Sequence, residues 1–358
     1  MRVCVNVFWP DIILGRFMKV AKLYSFHDIR IEDIPLPAVG PRDALIRTRA
    51  CGICSGDVMP WYIEKKAPLV LGHEPAGEVA ETGGEVTSVK KGDRVFIHHH
   101  APCFACRYCR RGDYVQCETW RHSHIVPGGV SEYILVPAVN LENDTIRIPD
   151  GMGFEDASLI EPVACVVKGL KRARIRRNDT VLVIGLGVMG LMNAMIARHY
   201  GAGRIIGADR VKFRLDRALE SGADEVIDVS AGAIHEGLGK ATGGEMAELV
   251  IVGPNSAEAM LEGLRCVRPG GQVLFFTPAK PGEMLSIDPN YLYFNDLNIL
   301  TSYSCGPADT ADACELIGQG VVTAEEIVTH RFPIERTEEA FRLTAAAGDS
   351  LKALVVFD

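Results

Sequence analysis

Residues 180–200 read TVLVIGLGVMGLMNAMIARHY, and this stretch decides the fold of half the chain. The apolar run Val181–Ile184 enters Gly185-x-Gly187-x-x-Gly190, and a helical pattern through Leu191, Ala194, Met195 and Arg198 follows. The first glycine permits a tight turn, the second lets backbone approach a pyrophosphate, and the third lets helix and strand pack closely. The pyrophosphate then sits at the helix start, Val188 and Met189, where unpaired N–H groups and the macrodipole favour an anion. Asp209 closes the next apolar run, IIGAD, nineteen residues after Gly190 (209 − 190), near the ~20 of a dinucleotide fingerprint. A carboxylate there accepts hydrogen bonds from both ribose hydroxyls and repels a 2′-phosphate, so the expected cofactor is NAD. Arg210, immediately after, softens that preference. The alternative is a similar unit that binds another nucleotide or none.

Outward from this turn, short apolar runs alternate with helix-length segments: Arg204–Ala208, Glu225–Asp228, Leu249–Val252, Gln272–Phe276 and Asn298–Ser302. That alternation predicts a doubly wound parallel sheet with helices on both faces. Upstream the texture differs. Ala44–Ala50, Gly77–Thr82 and Asp93–Ile97 are short, partly alternating and bounded by Gly, Pro or Asp, which predicts antiparallel strands. Leu351–Phe357 is one more strand candidate. The expected layout is a β-rich domain interrupted by an α/β domain, the last strand rejoining the first part.

The 358 residues carry 38 Lys plus Arg against 46 Asp plus Glu, a net charge of −8. This argues against nucleic acid or an anionic membrane surface as partner. No apolar run approaches the ~18 residues of a spanning helix. Cysteine is plentiful, with eleven in the chain. Cys103, Cys106, Cys109 and Cys117 fall within fifteen residues, a spacing that closes a tetrahedral, structural zinc site. Such a site contributes folding free energy rather than chemistry. In residues 1–17, Pro10 and Asp11 break the apolar run, so we read an extension without targeting function, and a cytoplasmic protein.

A second constellation is scattered: Cys54-Ser-Gly-Asp57, Gly72-His73-Glu74 and Glu161-Pro162. One thiolate, one imidazole and one carboxylate leave a fourth position open, as catalytic zinc requires. Taken singly, His73 reads as structural, Glu161 as a surface carboxylate, and Cys51-x-x-Cys54 as a redox pair. The redox reading is the weakest, because the pair does not sit in a βαβ unit.

GHEPAGEV at 72–79, KGDRV at 91–95, the four-cysteine lobe and the later glycine turn stand in an order that resembles the zinc-dependent medium-chain alcohol dehydrogenases. The likeness runs from Met18 to the C-terminus. Glu161-Pro162 and VTHRFPIE at 328–335 resemble the polyol, sorbitol dehydrogenase-like branch, with the threonine dehydrogenase-like branch beside it. The resemblance implies a GroES-like catalytic domain (18–166, structural lobe at 103–117), a Rossmann NAD-binding domain (167–304) and a return to the catalytic domain (305–358). It implies a catalytic zinc on Cys54, His73 and Glu161, with Glu74 able to exchange with Glu161 or water. Asp57 then orients His73, and Lys352 stands near Glu74 and the cofactor phosphates. The implied reaction is hydride transfer between NAD and a secondary alcohol or ketone of a small polar substrate, polyol or sugar-derived. An amino alcohol such as threonine is the alternative substrate. Relatives are homo-dimers or homo-tetramers.

The chain departs from these relatives in proton removal. Many carry Ser or Thr two residues after the zinc cysteine and His five residues after it; here stand Gly56 and Met59. Substitutes are Ser55, Glu74 or a bound water, and the run His98-His99-His100. Alternate residues of a strand face opposite sides, so at least one of the three is structural. His99 or His100 is expected to reach the pocket as a base suited to polar substrates. A non-catalytic NAD- and zinc-binding protein is the competing class.

Overall fold

The structure, a computed structural model, describes residues 17–358. The expected extension therefore lies outside the described residues, except for Phe17, which opens the first strand. The chain forms two compact units, one running through Ser158 and joined by Arg331–Arg342 and Leu354–Asp358, the other made of Leu159–His330 and Leu343–Ala353.

In the first unit the strands are β1 (Phe17–Ser25), β2 (Asp28–Pro35), β3 (Ala44–Gly52), β4 (Leu69–Val70), β5 (Pro75–Thr82), β6 (Arg94–Ile97), β7 (Tyr133–Val136) and β8 (Thr145–Arg147). β2, β1 and β4 make a small antiparallel sheet. The larger sheet runs β3-β5-β6-β8, with β7 also on β3, all antiparallel. Ile46, Val79, Val95, Ile97 and Ile134 fill its core, the apolar half of the alternation that marks these strands in the sequence. Irregular register between β3 and β5 lies between Leu45 and Ile46 and between Thr48 and Ala50, just before the loop that carries Cys54.

The second unit is a six-stranded sheet of β9 (Thr180–Ile184), β10 (Arg204–Asp209), β11 (Glu225–Asp228), β12 (Ala247–Val252), β13 (Val267–Phe275) and β14 (Asn298–Thr301). Its order is β11-β10-β9-β12-β13-β14, parallel throughout. Leu182, Ile206, Val250 and Val273 are buried in its core. The chain leaves β9 toward β10 on one side and later returns to β12 on the other, so the strand order reverses there and opens a crevice at the carboxyl ends. β13 begins five residues before the run seen in the sequence; Pro269-Gly270-Gly271 interrupts that entry, and the β12–β13 register slips there. Helix Ile160–Ala173 opens this unit with Glu161 in its first turn and Lys171 and Arg172 in its last, charges that suit the helix dipole. Pro162 near its start costs little, because first-turn N–H groups have no helical partner.

Two strands follow, β15 (Val328–Phe332) and β16 (Lys352–Val356). Residues Leu354–Val356 return to the first sheet and pair antiparallel with Gly52, Cys51 and Ala50 of β3.

Candidate active site

The four-cysteine lobe hangs from the first unit on short turns. Its sulfurs lie 3.9 Å (Cys103–Cys109), 3.5 Å (Cys106–Cys109) and 3.6 Å (Cys103–Cys117) apart. A tetrahedron with metal–sulfur distances of ~2.3 Å has edges of ~3.8 Å, so the set matches a closed zinc shell. Backbone N–H groups of Ala105 and Cys106 point at Cys103 Sγ and lower its pKa to about 6. Burial, with the neighbouring sulfurs, pushes Cys109 up to about 12. Without a cation, the lobe cannot keep all four sulfurs ionised at neutral pH. Trp120 is buried against Cys109, Cys117 and Val115.

Cys54, His73 and Glu74 form a second group, their donor atoms all within 4.8 Å of one another. Cys54 sits in a turn after β3, where the Gly56 N–H points at its Sγ at 3.3 Å. His73 follows Gly72, whose φ of +91° and contacts leave no room for a side chain: a Cβ would lie 2.7 Å from Val130 and 2.8 Å from Cys51 Sγ. Glu74 is fully buried directly before β5. Asp57, also buried, holds its Oδ2 3.2 Å from His73 Nδ1. Burial disfavours a charged His73, but the Asp57 carboxylate and the Cys54 sulfur outweigh it and hold the ring well above its usual pKa. One imidazole nitrogen is thus occupied by a carboxylate, the support that metal-bound histidines usually have, and the other is left for a cation. Soft sulfur, imidazole and carboxylate together suit zinc. The two cysteines of Cys51-x-x-Cys54 serve different places: Cys51 Sγ faces the Gly52 carbonyl at 3.7 Å and packs against Gly72 and Gly129.

Glu161 and Lys352 belong to the second unit, and both are buried there. The Cys165 thiol, one helical turn on, donates to Glu161 Oε1 at 3.7 Å.

The histidine run divides by facing. His98 is fully buried, its Nδ1 2.6 Å from Asp144 Oδ2, and its carbonyl accepts from Asn140. It is the structural member. His99 lies beside His73, ring centroids 4.9 Å apart, and its Nδ1 is buried without a hydrogen-bond partner. His100 Nδ1 is held by the Ser123 carbonyl at 2.6 Å. Burial lowers His99 well below its usual pKa and His100 to about 3, so both rings are neutral at pH 7. Gly56 and Met59 supply no exchangeable proton, and Ser55 is exposed.

The nucleotide turn lies wholly in the second unit. Gly185 has φ +85°, and a Cβ on Gly190 would sit 1.8 Å from the Gly185 carbonyl oxygen. A Cβ on Gly187 would meet nothing closer than Arg214 Nη1 at 3.7 Å, so that position borders open space. Helix Val188–His199 starts there with no side-chain cap, leaving the N–H groups of its first turn, Val188 and Met189 among them, for an anion. Asp209 is buried at the end of β10, but the main chain already uses three of its roughly four acceptor positions. Leu186 N donates to Oδ2 at 2.7 Å; Arg210 N and Val211 N donate to Oδ1 at 2.7 and 2.9 Å. Only Oδ2 keeps capacity for a ribose hydroxyl, fewer contacts than the sequence suggests. The Arg210 side chain is exposed. Arg214, in the first turn of the next helix, places Nη1 3.9 Å from Asp209 Oδ2, and its buried Nε has no partner. Sequence reading missed Arg214. A cation five residues after the acidic one was a signal, but Lys212 and Arg217 were equal candidates.

Comparison with known proteins follows the two halves of this description. Residues 40–150 match the family model of the alcohol dehydrogenase GroES-like domain, and residues 188–319 that of the zinc-binding dehydrogenase. Sorbitol dehydrogenase of Bombyx mori is 31% identical over 94% of this chain and 97% of its own length. D-xylulose reductase A of Aspergillus oryzae is 28% identical over 96% and 99%. Among solved structures, an NADP-bound protein from Sinorhizobium meliloti 1021, assigned as a zinc-binding dehydrogenase, superposes with a TM-score of 0.87 at 28% identity. That match covers 96% of this chain and 100% of the other.

Proposed function

Because this chain belongs to the zinc-binding alcohol dehydrogenase family, we propose that it transfers hydride between NAD and a secondary alcohol or ketone of a small polyol or sugar-derived substrate. The observation that carries this reading is the buried Cys54–His73–Glu74 group with Asp57 behind His73. Zinc supplies Lewis acidity for the substrate oxygen, and nicotinamide supplies the hydride acceptor. Cys54, His73 and Glu74 would hold the metal, and Glu161 is the further ligand that the family resemblance implies. Asp57 holds His73 by Nδ1, which would leave Nε2 for the ion. Gly187, the first turn of helix Val188–His199, Asp209 and Arg214 hold the dinucleotide. The Asp209 carboxylate favours NAD by repelling a 2′-phosphate.

With Gly56 and Met59 unable to relay a proton, the alcohol proton passes to a neutral His99, whose unpartnered Nδ1 supports the role. A polar imidazole in this place, rather than an apolar side chain, favours polyols over simple alcohols. Amino alcohols such as threonine are the runner-up. The named relatives act on sorbitol and D-xylulose, in keeping with this choice. Residues 18–166 and 305–358 serve catalysis and 167–304 the cofactor.

Ten cysteines without a disulfide among the described residues support a reducing, cytoplasmic setting. Among those residues, no helix is long and apolar enough to cross a membrane. Exposed Tyr293 and Phe294, close in sequence to the edge strand β14, support a homo-dimer or homo-tetramer.

The test is a panel of polyols, amino alcohols and simple alcohols read by NADH absorbance, with metal analysis of the purified chain. Two zincs per chain and turnover of polyols support the reading. One zinc and no turnover support the non-catalytic alternative.

A further inference from the structure

The four-cysteine lobe and the Cys54–His73–Glu74 group are linked by an unbroken column of flat rings. Trp120, 2% exposed in the core of the lobe, packs on His100 with ring centroids 4.3 Å apart and planes tilted by 40°. His100 lies 4.2 Å from His99 at 48°, and His99 lies 4.9 Å from His73 at 50°. The column is braced at its middle. The Ser123 carbonyl holds His100 Nδ1 at 2.6 Å, while its hydroxyl accepts from Ala101 N at 2.8 Å and lies 3.3 Å from the Trp120 carbonyl. The helix that carries Trp120 runs between Cys117 of the four-sulfur set, at its N-cap position, and Ser123, at its C-cap position.

We propose that Trp120 and His100 are positioning residues for the candidate catalytic zinc, acting through His99 to hold the His73 ring in its metal-binding orientation. The proposal rests on His73 being a ligand, as proposed above. Asp57 meets His73 at Nδ1, and contacts confined to the ring nitrogens leave its plane free to rock about them. The tilted His99 ring packed against it, centroids 4.9 Å apart at 50°, removes that freedom. Aromatic pairs prefer such offset and tilted contacts, and each adds to the area it buries. A lobe without chemistry of its own thus sets the geometry of the chemical site.

The test uses the full chain loaded with Co2+, whose visible absorption separates a four-sulfur site from a mixed sulfur–nitrogen–oxygen site. Excess chelator then draws metal out, and the two bands are followed separately. H100L and W120L should release cobalt from the mixed site roughly tenfold faster than wild type, the usual effect of losing support around a ligand. The four-sulfur band should stay unchanged, and W120F, which keeps a flat ring, should behave like wild type. If W120L loses the four-sulfur band, H100L alone decides, since it lies outside the lobe. Wild-type release rates in H100L overturn the proposal. A wild-type chain that shows only the four-sulfur band overturns the ligand assignment itself, and the proposal with it.

Discussion

Two glycines three residues apart should fail in opposite ways when replaced by alanine. A Cβ on Gly190 would stand 1.8 Å from the Gly185 carbonyl oxygen, where real Cβ contacts essentially never fall under 3.0 Å. The helix and the Gly185 turn must therefore part by at least 3.0 − 1.8 = 1.2 Å. The oxygen is main chain and the Cβ is fixed directly to main chain, so no side chain can swing aside. Overpacking of this kind costs ~1–3 kcal/mol when side chains can yield, and the backbone clash places Gly190→Ala at or above ~3 kcal/mol. For a unit of this size that lowers Tm by roughly 6–12 °C. Gly187→Ala differs, because its Cβ meets nothing closer than 3.7 Å. It should melt within a degree or two of wild type, yet push a methyl group into the space a pyrophosphate needs. NAD affinity should then fall about tenfold or more. Calorimetry without cofactor and NAD binding by fluorescence titration separate the two effects. Wild-type melting of Gly190→Ala, or undiminished NAD affinity in Gly187→Ala, would refute the reasoning.

Asp57→Ala should weaken metal binding at the Cys54–His73–Glu74 group about 10–100-fold, read by chelator competition; a change under twofold would show that Asp57 does not orient His73. Asp209→Asn keeps an acceptor but removes the charge. The NAD-over-NADP ratio of kcat/KM should drop at least about tenfold, since bonds to charged groups are worth ~1.5–3 kcal/mol, and an unaltered ratio counts against the assignment. His100 has a folded pKa of about 3, below its usual 6.5. The stability it permits is therefore whole above pH ~6.5 and is lost as pH falls toward ~3. His100→Gln should flatten the acid limb of a stability–pH curve by about 1.4 kcal/mol per pH unit inside that window; an identical limb refutes it. Gly56→Ser is accommodated, its Cβ 3.4 Å from Cys54 Sγ and 3.9 Å from Met59 Cε. Turnover should hold or rise with metal content intact, and loss of metal would show that the hydroxyl does not fit.

The parts legible in the sequence are those set by neighbours along the chain. The turn at Gly185–Gly190 and the four-cysteine lobe depend on spacing alone, so their geometry follows from a few residues. The parallel strands were legible as alternation, although the entry to β13 was not, because Pro269-Gly270-Gly271 disguises a bulged strand as a loop. What stayed hidden depends on contacts between distant segments. Asp209 announces a ribose contact, but that Leu186, Arg210 and Val211 already occupy most of its lone pairs is visible only once β9 and β10 lie side by side. The histidine run told the same story. Which ring faces Asp144, which faces His73 and which faces Ser123 is decided by partners 46, 26 and 23 positions away in sequence.

The pairing of Leu354–Val356 with Ala50–Gly52 ties the strand that leads to Cys54 to a segment about three hundred residues downstream. During synthesis that edge must wait, bare, while the whole cofactor unit is made. A nascent or prematurely stopped chain would therefore own a finished parallel sheet while the strand that leads to Cys54 still lacks its partner. Such a fragment offers chaperones and proteases a clear mark of incompleteness.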